Sequence, residues 1–178
     1  MKKIILVFVG LALSTIFILA IIPVSKVNLE YLRIHIRANS NDGIDQNIKY
    51  KVKESVVSYL TPVLTQCDTK DKTISKLEII MSDIEEVCNN TLIESGFSYK
   101  VKASIKREEF PARAYDNLML DAGIYDALII EIGEALGDNW WCVVYPPFCF
   151  INSTDNGRDN IRYRSKLIEI IENFKNNR

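Results

Sequence analysis

Leu32, Ile34, Ile36 and Ala38 alternate with Tyr31, Arg33, His35, Arg37 and Asn39. That period of two predicts a half-buried strand over 29–39, one face apolar and the other polar. Asn39-Ser40-Asn41-Asp42-Gly43 is then rich in turn and capping residues, and Asp42 is the expected N-cap, its carboxylate accepting first-turn amides. Ile44, Ile48, Val52, Val56, Leu60 and Val63 recur at three and four residues, which predicts a helix with one apolar stripe flanked by Lys49, Lys51 and Lys53. Pro62 and the polar stretch 65–73 end it. A second stripe of Ile74, Leu77, Met81, Ile84, Cys88 and Leu92 predicts another helix, closed by Gly96.

Phe97, Tyr99, Val101, Ala103 and Ile105 alternate with Ser98, Lys100, Lys102, Ser104 and Lys106, a strand with a basic outer face of the kind that discourages edge-to-edge pairing. Shorter strands are predicted over 112–120, 125–132 and 139–145. The middle one, with Ala127 to Ile130 apolar in a row, belongs in the centre of a sheet. A last helix from about Arg158 turns Tyr163, Leu167, Ile170, Ile171 and Phe174 inward. The order of elements defines an α+β domain, a mainly antiparallel sheet covered by helices.

Lys2 and Lys3 precede an apolar run from Ile4 to Ile22, broken only by Gly10, Ser14 and Thr15. Nineteen helical residues reach roughly 28 Å, close to a bilayer's hydrocarbon thickness. A signal-peptide core is usually shorter, about 7 to 15 residues, and the small-residue cleavage pattern near Ala20 is poor. Residues 1–26 are therefore read as a signal peptide or membrane anchor, with the uncleaved anchor preferred, and 27–178 as one exported domain. Lys2 and Lys3 hold the N-terminus in the cytoplasm. Without Lys2, Lys3 and Lys26, 19 basic residues face 23 acidic ones, a charge of −4 that argues against nucleic acid as a partner. Outside the cytoplasm, four cysteines allow three disulfide pairings.

Candidate chemistry is sparse. His35 is the single histidine, which excludes a histidine-rich metal site, and it lies between Arg33 and Arg37 with no neighbouring carboxylate on its strand to orient it as a base. Cys142 and Cys149 lack a nucleophile signature. If Tyr145-Pro146-Pro147-Phe148 reverses the chain, they fall opposite one another and a disulfide is feasible; extended polyproline would hold them roughly 20 Å apart. Cys88 is expected in the core, some 20 Å along its helix from the loop that holds Cys67. Trp140 and Trp141 point to opposite faces of their strand, so that either both are buried or one is a protein-binding anchor beside Pro146 and Pro147. No phosphate loop, Gly-x-Ser-x-Gly turn or His-Glu-x-x-His helix is present, and no catalytic residue, metal, cofactor or small-molecule substrate is assigned.

Two blocks resemble the stage II sporulation protein R family of endospore-forming bacteria. One is Leu32 to Ser40, followed by Asp45, Gln46, Lys49 and Val52; the other is Asn139 to Phe150, with its Trp140-Trp141-Cys142 and Tyr145-Pro146-Pro147-Phe148-Cys149. Phe110 to Tyr115 and Ala122 to Leu128 also fit. Departures are Asn41 for an aspartate, Ala135 for a second glycine after Gly133, and Asp116 and Asp121 for a glycine and a proline. The resemblance implies a signal exported across the forespore membrane into the space between the two sporulation membranes. There it is sensed by a membrane-embedded aspartic protease, which then matures the precursor of the early mother-cell sigma factor. The contact surface expected on this chain is Arg33, His35, Arg37, Asn39 and Ser40 with Trp140, Trp141, Pro146 and Pro147. An exported cell-wall hydrolase is the alternative.

Overall fold

The computed structural model describes residues 27–115, 118–151 and 158–177. Residues 1–26, on which the anchor or signal reading falls, lie outside them. Among the described residues, no helix is long and apolar enough to cross a membrane.

The domain is α+β. Strand β1 (Val27–Arg37) leads into helix α1 (Gly43–Leu64), then α2 (Lys70–Ile79) and α3 (Met81–Glu94). Strands β2 (Val101–Phe110), β3 (Arg113–Tyr115), β4 (Leu118–Leu120), β5 (Gly123–Ile132) and β6 (Asn139–Tyr145) follow, then a 3-10 turn (Phe148–Phe150) and helix α4 (Arg158–Asn176). The main sheet runs β2-β5-β1-β6. Two of its three pairings are antiparallel, while the central pair, β1 and β5, is parallel. The continuous apolar run of β5 therefore lies inside the sheet, where both faces are covered. The lysine-bearing β2 is an edge strand, with Lys102 and Lys106 exposed.

One sheet face carries Leu32, Ile34, Ile36, Leu128, Ile130 and Val144 against α1, α3 and α4, and forms the main core with Val52, Leu60, Ile84, Leu92 and Leu167. Cys88 is buried there as a free thiol. Ile44, assigned by periodicity to the stripe of α1, lies in the first helical turn and is instead 70% exposed. The single helix expected over 74–92 is two, because Ile80 leaves helical geometry (φ −101°, ψ 19°) and buries its side chain while Ile79 turns to solvent. The strand expected over 112–120 is a small hairpin, β3 with β4.

The polar face of β1 departs furthest from its pattern. Tyr31, Arg33 and His35 are buried, and Arg37 is half-buried. A second apolar cluster of Tyr31, Phe110, Leu120, Tyr125, Ala127, Ile129 and Val143 closes this side, with Tyr115 and Leu118 of the hairpin and Phe174 of α4 packed on it. The strand is thus buried on both faces.

Candidate functional site

Arg33 occupies an aromatic cage. Its guanidinium carbon lies 4.3 Å from the Phe110 ring centre, 5.0 Å from Tyr125 and 5.7 Å from Tyr115. NH2 donates to the Tyr115 hydroxyl at 2.5 Å and NH1 to the Pro111 carbonyl at 3.5 Å, while Nε has no partner. Among the described residues no carboxylate forms an ion pair with it. Burial lowers its pKa, an effect that the tyrosines oppose. The rings' negative faces supply what a carboxylate usually would.

One step along β1, His35 packs between Trp141 and Phe110, with centroids 5.4 and 5.7 Å away. The sequence offered no carboxylate near this ring on its own strand. The fold supplies Glu108 of β2, whose Oε2 lies 3.1 Å from Nδ1. Glu108 also pairs with Arg37, which bonds Glu131 at 3.0 Å. Burial, reinforced by Arg37 and Arg33, lowers the His35 pKa to about 4 against the opposing pull of Asn139 and Glu131. The ring is therefore neutral at neutral pH and donates Nδ1–H to Glu108, whose charge is shared with Arg37. Nε2 is buried without a formed hydrogen bond. A carboxylate-oriented imidazole is in principle a general base, but this one is 4% exposed.

At the end of β1 the turn forms a second polar node. Asp42 is the N-cap by position but makes no side-chain cap bond. The organising carboxylate is Asp45, which the sequence shows only as part of the first family-like block, with the capping role expected of Asp42. Its Oδ2 accepts from Asn39 Nδ2 and Ser40 Oγ, each at 2.7 Å, and its Oδ1 accepts from the Tyr99 hydroxyl at 2.6 Å. Burial pushes its pKa up, and these donors together outweigh that and hold it below the usual carboxylate value.

The same turn fixes the β5–β6 loop. Asn39 Oδ1 accepts from Glu134 N at 2.9 Å and Asn41 Oδ1 from Asp138 N at 2.6 Å. Leu136 N and Gly137 N donate to the carbonyls of Asn39 and Ala38. Lys49, buried in α1, donates to the Asp138 carbonyl at 3.0 Å. Gly137 lies so close that an added Cβ would overlap the Ser40 carbonyl. Gly133 and Ala135 both have positive φ, +57° and +55°. The position where the family resemblance placed a glycine is thus one at which the backbone favours it.

The expected contact residues adjoin across the β1–β6 pairing, His35 opposite Trp141, but none of them is fully exposed. Arg33, His35, Pro146 and Pro147 are buried; Arg37, Asn39, Ser40, Trp140 and Trp141 are half-buried. Trp140 packs on the main core and Trp141 on the second cluster, under Arg113 at 4.4 Å. Cys142 and Cys149 form a disulfide across the Tyr145-to-Phe148 reversal, so neither is a free thiolate. Cys67 and Cys88 are both free and buried. No group of three or more potential metal ligands is assembled among the described residues. A cleft of about 960 Å³ between the α1–α2 loop, Tyr145 and α4 has mixed charge, with Glu30, Lys70, Lys166 and Glu169 on its walls.

Fold and site together define an α+β domain whose polar residues brace the sheet and its loops. The chain belongs to the stage II sporulation protein R family, whose model matches residues 28–155. It is 27% identical over 121 residues to stage II sporulation protein R of Bacillus subtilis strain 168. That match covers 68% of this chain and 54% of the relative, so the chain spans about half the relative's length. No solved structure matches it.

Proposed function

We propose that this chain is an exported sporulation signal. Its domain, 27–178, crosses the forespore membrane, with residues 1–26 as signal or anchor, and binds the extracytoplasmic part of a membrane-embedded aspartic protease. Binding favours the protease's active state, which processes the precursor of the early mother-cell sigma factor. The observation that carries this reading is family membership over 28–155, which takes in the sheet and the first three helices but not α4. A ligand shifts such an equilibrium only by its difference in affinity for the two states, so a rigid domain suffices and no chemistry on this chain is needed. The buried histidine and the bonded Cys142 and Cys149 support binding over a hydrolase.

The test is genetic. Sporulating cells lacking this chain should keep the sigma-factor precursor uncleaved, and the full-length chain should restore cleavage. Normal processing in its absence would refute the proposal.

A further inference from the structure

Leu136 is 80% exposed, more than any other large hydrophobic side chain among the described residues, and Ile44 is 70% exposed. Both belong to the braced end of the domain. Leu136 is in the β5–β6 loop hydrogen-bonded to Ala38, Asn39 and Asn41; Ile44 is in the first turn of α1, directly after that same turn. An apolar side chain on a tied loop loses little freedom when it docks, which is what a binding anchor requires. The loop also holds Ala135 in the left-handed region, a local cost of the kind retained where a side chain must be aimed.

The surroundings specify the partner. Asp42, Glu134 and Asp138 are exposed, each two positions along the chain from Ile44 or Leu136, and Lys100, whose carbonyl accepts from Gly133 N, is an exposed cation whose backbone adjoins the loop. That balance disfavours an anionic lipid surface and fits a protein pocket with an apolar floor and a basic rim. The tip also lies beyond Arg37, the far end of β1 from Val27. At about 3.3 Å per residue, that is about 30 Å from where residues 1–26 join.

We infer that Leu136 and Ile44 form a docking knob, rimmed by Asp42, Glu134 and Asp138, for an apolar, basic-rimmed pocket on a protein partner facing the domain's far end. This rests on the signalling reading for the partner's identity, the protease, and not for the surface itself.

Full-length chain with a photo-crosslinking benzoylphenylalanine at position 136, or at exposed Ile79 as control, is made in sporulating cells, and adducts are mapped by mass spectrometry. In parallel, Leu136→Asp, Ile44→Asp and Ile79→Asp chains of equal thermal stability and amount are scored for precursor cleavage. The expected result is an adduct from position 136 alone, on an apolar protease segment next to Lys or Arg. At least a tenfold loss of cleavage should accompany Leu136→Asp and Ile44→Asp, with Ile79→Asp unchanged. Wild-type cleavage by the Leu136→Asp Ile44→Asp double variant, no adduct from 136, or Leu136-dependent sedimentation with anionic vesicles would overturn the knob. Failure of the signalling reading looks different: the wild-type chain elicits no cleavage, while position 136 still crosslinks to a basic-rimmed apolar pocket on another protein.

Discussion

The Tyr99 hydroxyl donates to the Asp45 carboxylate at 2.6 Å, tying the segment before β2 to the first turn of α1. Because Asn39 and Ser40 donate to the other oxygen, one carboxylate holds the end of β1, the helix start and the approach to β2 together. Asp45→Asn turns an amide group toward one of these donors and should cost about 1–3 kcal/mol at pH 7. The folded-state pKa of Asp45 is depressed. Its contribution is therefore fully present above the unfolded value, about 3.9, and lost as pH falls through the folded pKa. Urea titrations of both proteins should show the gap closing only in that acid range.

Ala135 holds φ +55° without glycine's freedom. Ala135→Gly should stabilise the domain by about 0.5–1 kcal/mol, seen as a small rise in Tm. Gly137→Ala should act oppositely and more strongly, by more than about 2 kcal/mol, because its Cβ overlaps the Ser40 backbone. Equal effects of the two substitutions would mean that the loop rearranges freely.

Much of this was legible in the sequence. The alternation of β1, the central apolar run of β5 and the lysine-marked edge of β2 each follow from spacing or composition of one segment, whereas the Cys142-to-Cys149 bridge was one of two geometries that Pro146 and Pro147 allow. What was not legible depends on segments distant in the chain. Arg33 and His35 read as a polar strand face available to a partner because Phe110, Tyr115 and Tyr125, which cover Arg33, lie more than seventy residues away. Likewise, Asp42 is the capping type nearest the helix start, whereas Asp45 gathers Asn39 and Ser40 from its own turn and Tyr99 from a segment 54 residues away, and that last partner is not visible from local spacing. The helix break at Ile80 has no proline or glycine to announce it.

Arg33 tests whether the cage works through charge or through volume. A buried cation without a carboxylate gains little over an apolar side chain of similar size, so Arg33→Met should lie within about 1 kcal/mol of the wild type. Arg33→Ala should cost about 2–4 kcal/mol through the cavity it leaves. Chemical denaturation distinguishes the two, and a methionine as costly as the alanine would assign the stabilisation to the guanidinium's hydrogen bonds and ring contacts.

His35 gives one resolved imidazole signal, since the chain has a single histidine. Its NMR shift should stay flat from pH 8 to about 5 and titrate with a midpoint of about 4. With the folded pKa below the ordinary value, the unfolded chain binds the proton more readily. The stability contribution is thus complete above about 6.5 and lost as pH falls toward the folded value, by on the order of 3 kcal/mol at most. A midpoint near 6.5 would place the ring in solvent.

The most direct test of the signalling role is reconstitution. Purified domain 27–178 is added from outside to vesicles that carry the protease, and cleavage of the sigma-factor precursor is followed. Cleavage by the wild-type domain, retained by a folded His35→Gln variant, is the result predicted for a binding signal. A folded domain that binds the vesicles' protease but elicits no cleavage would contradict it.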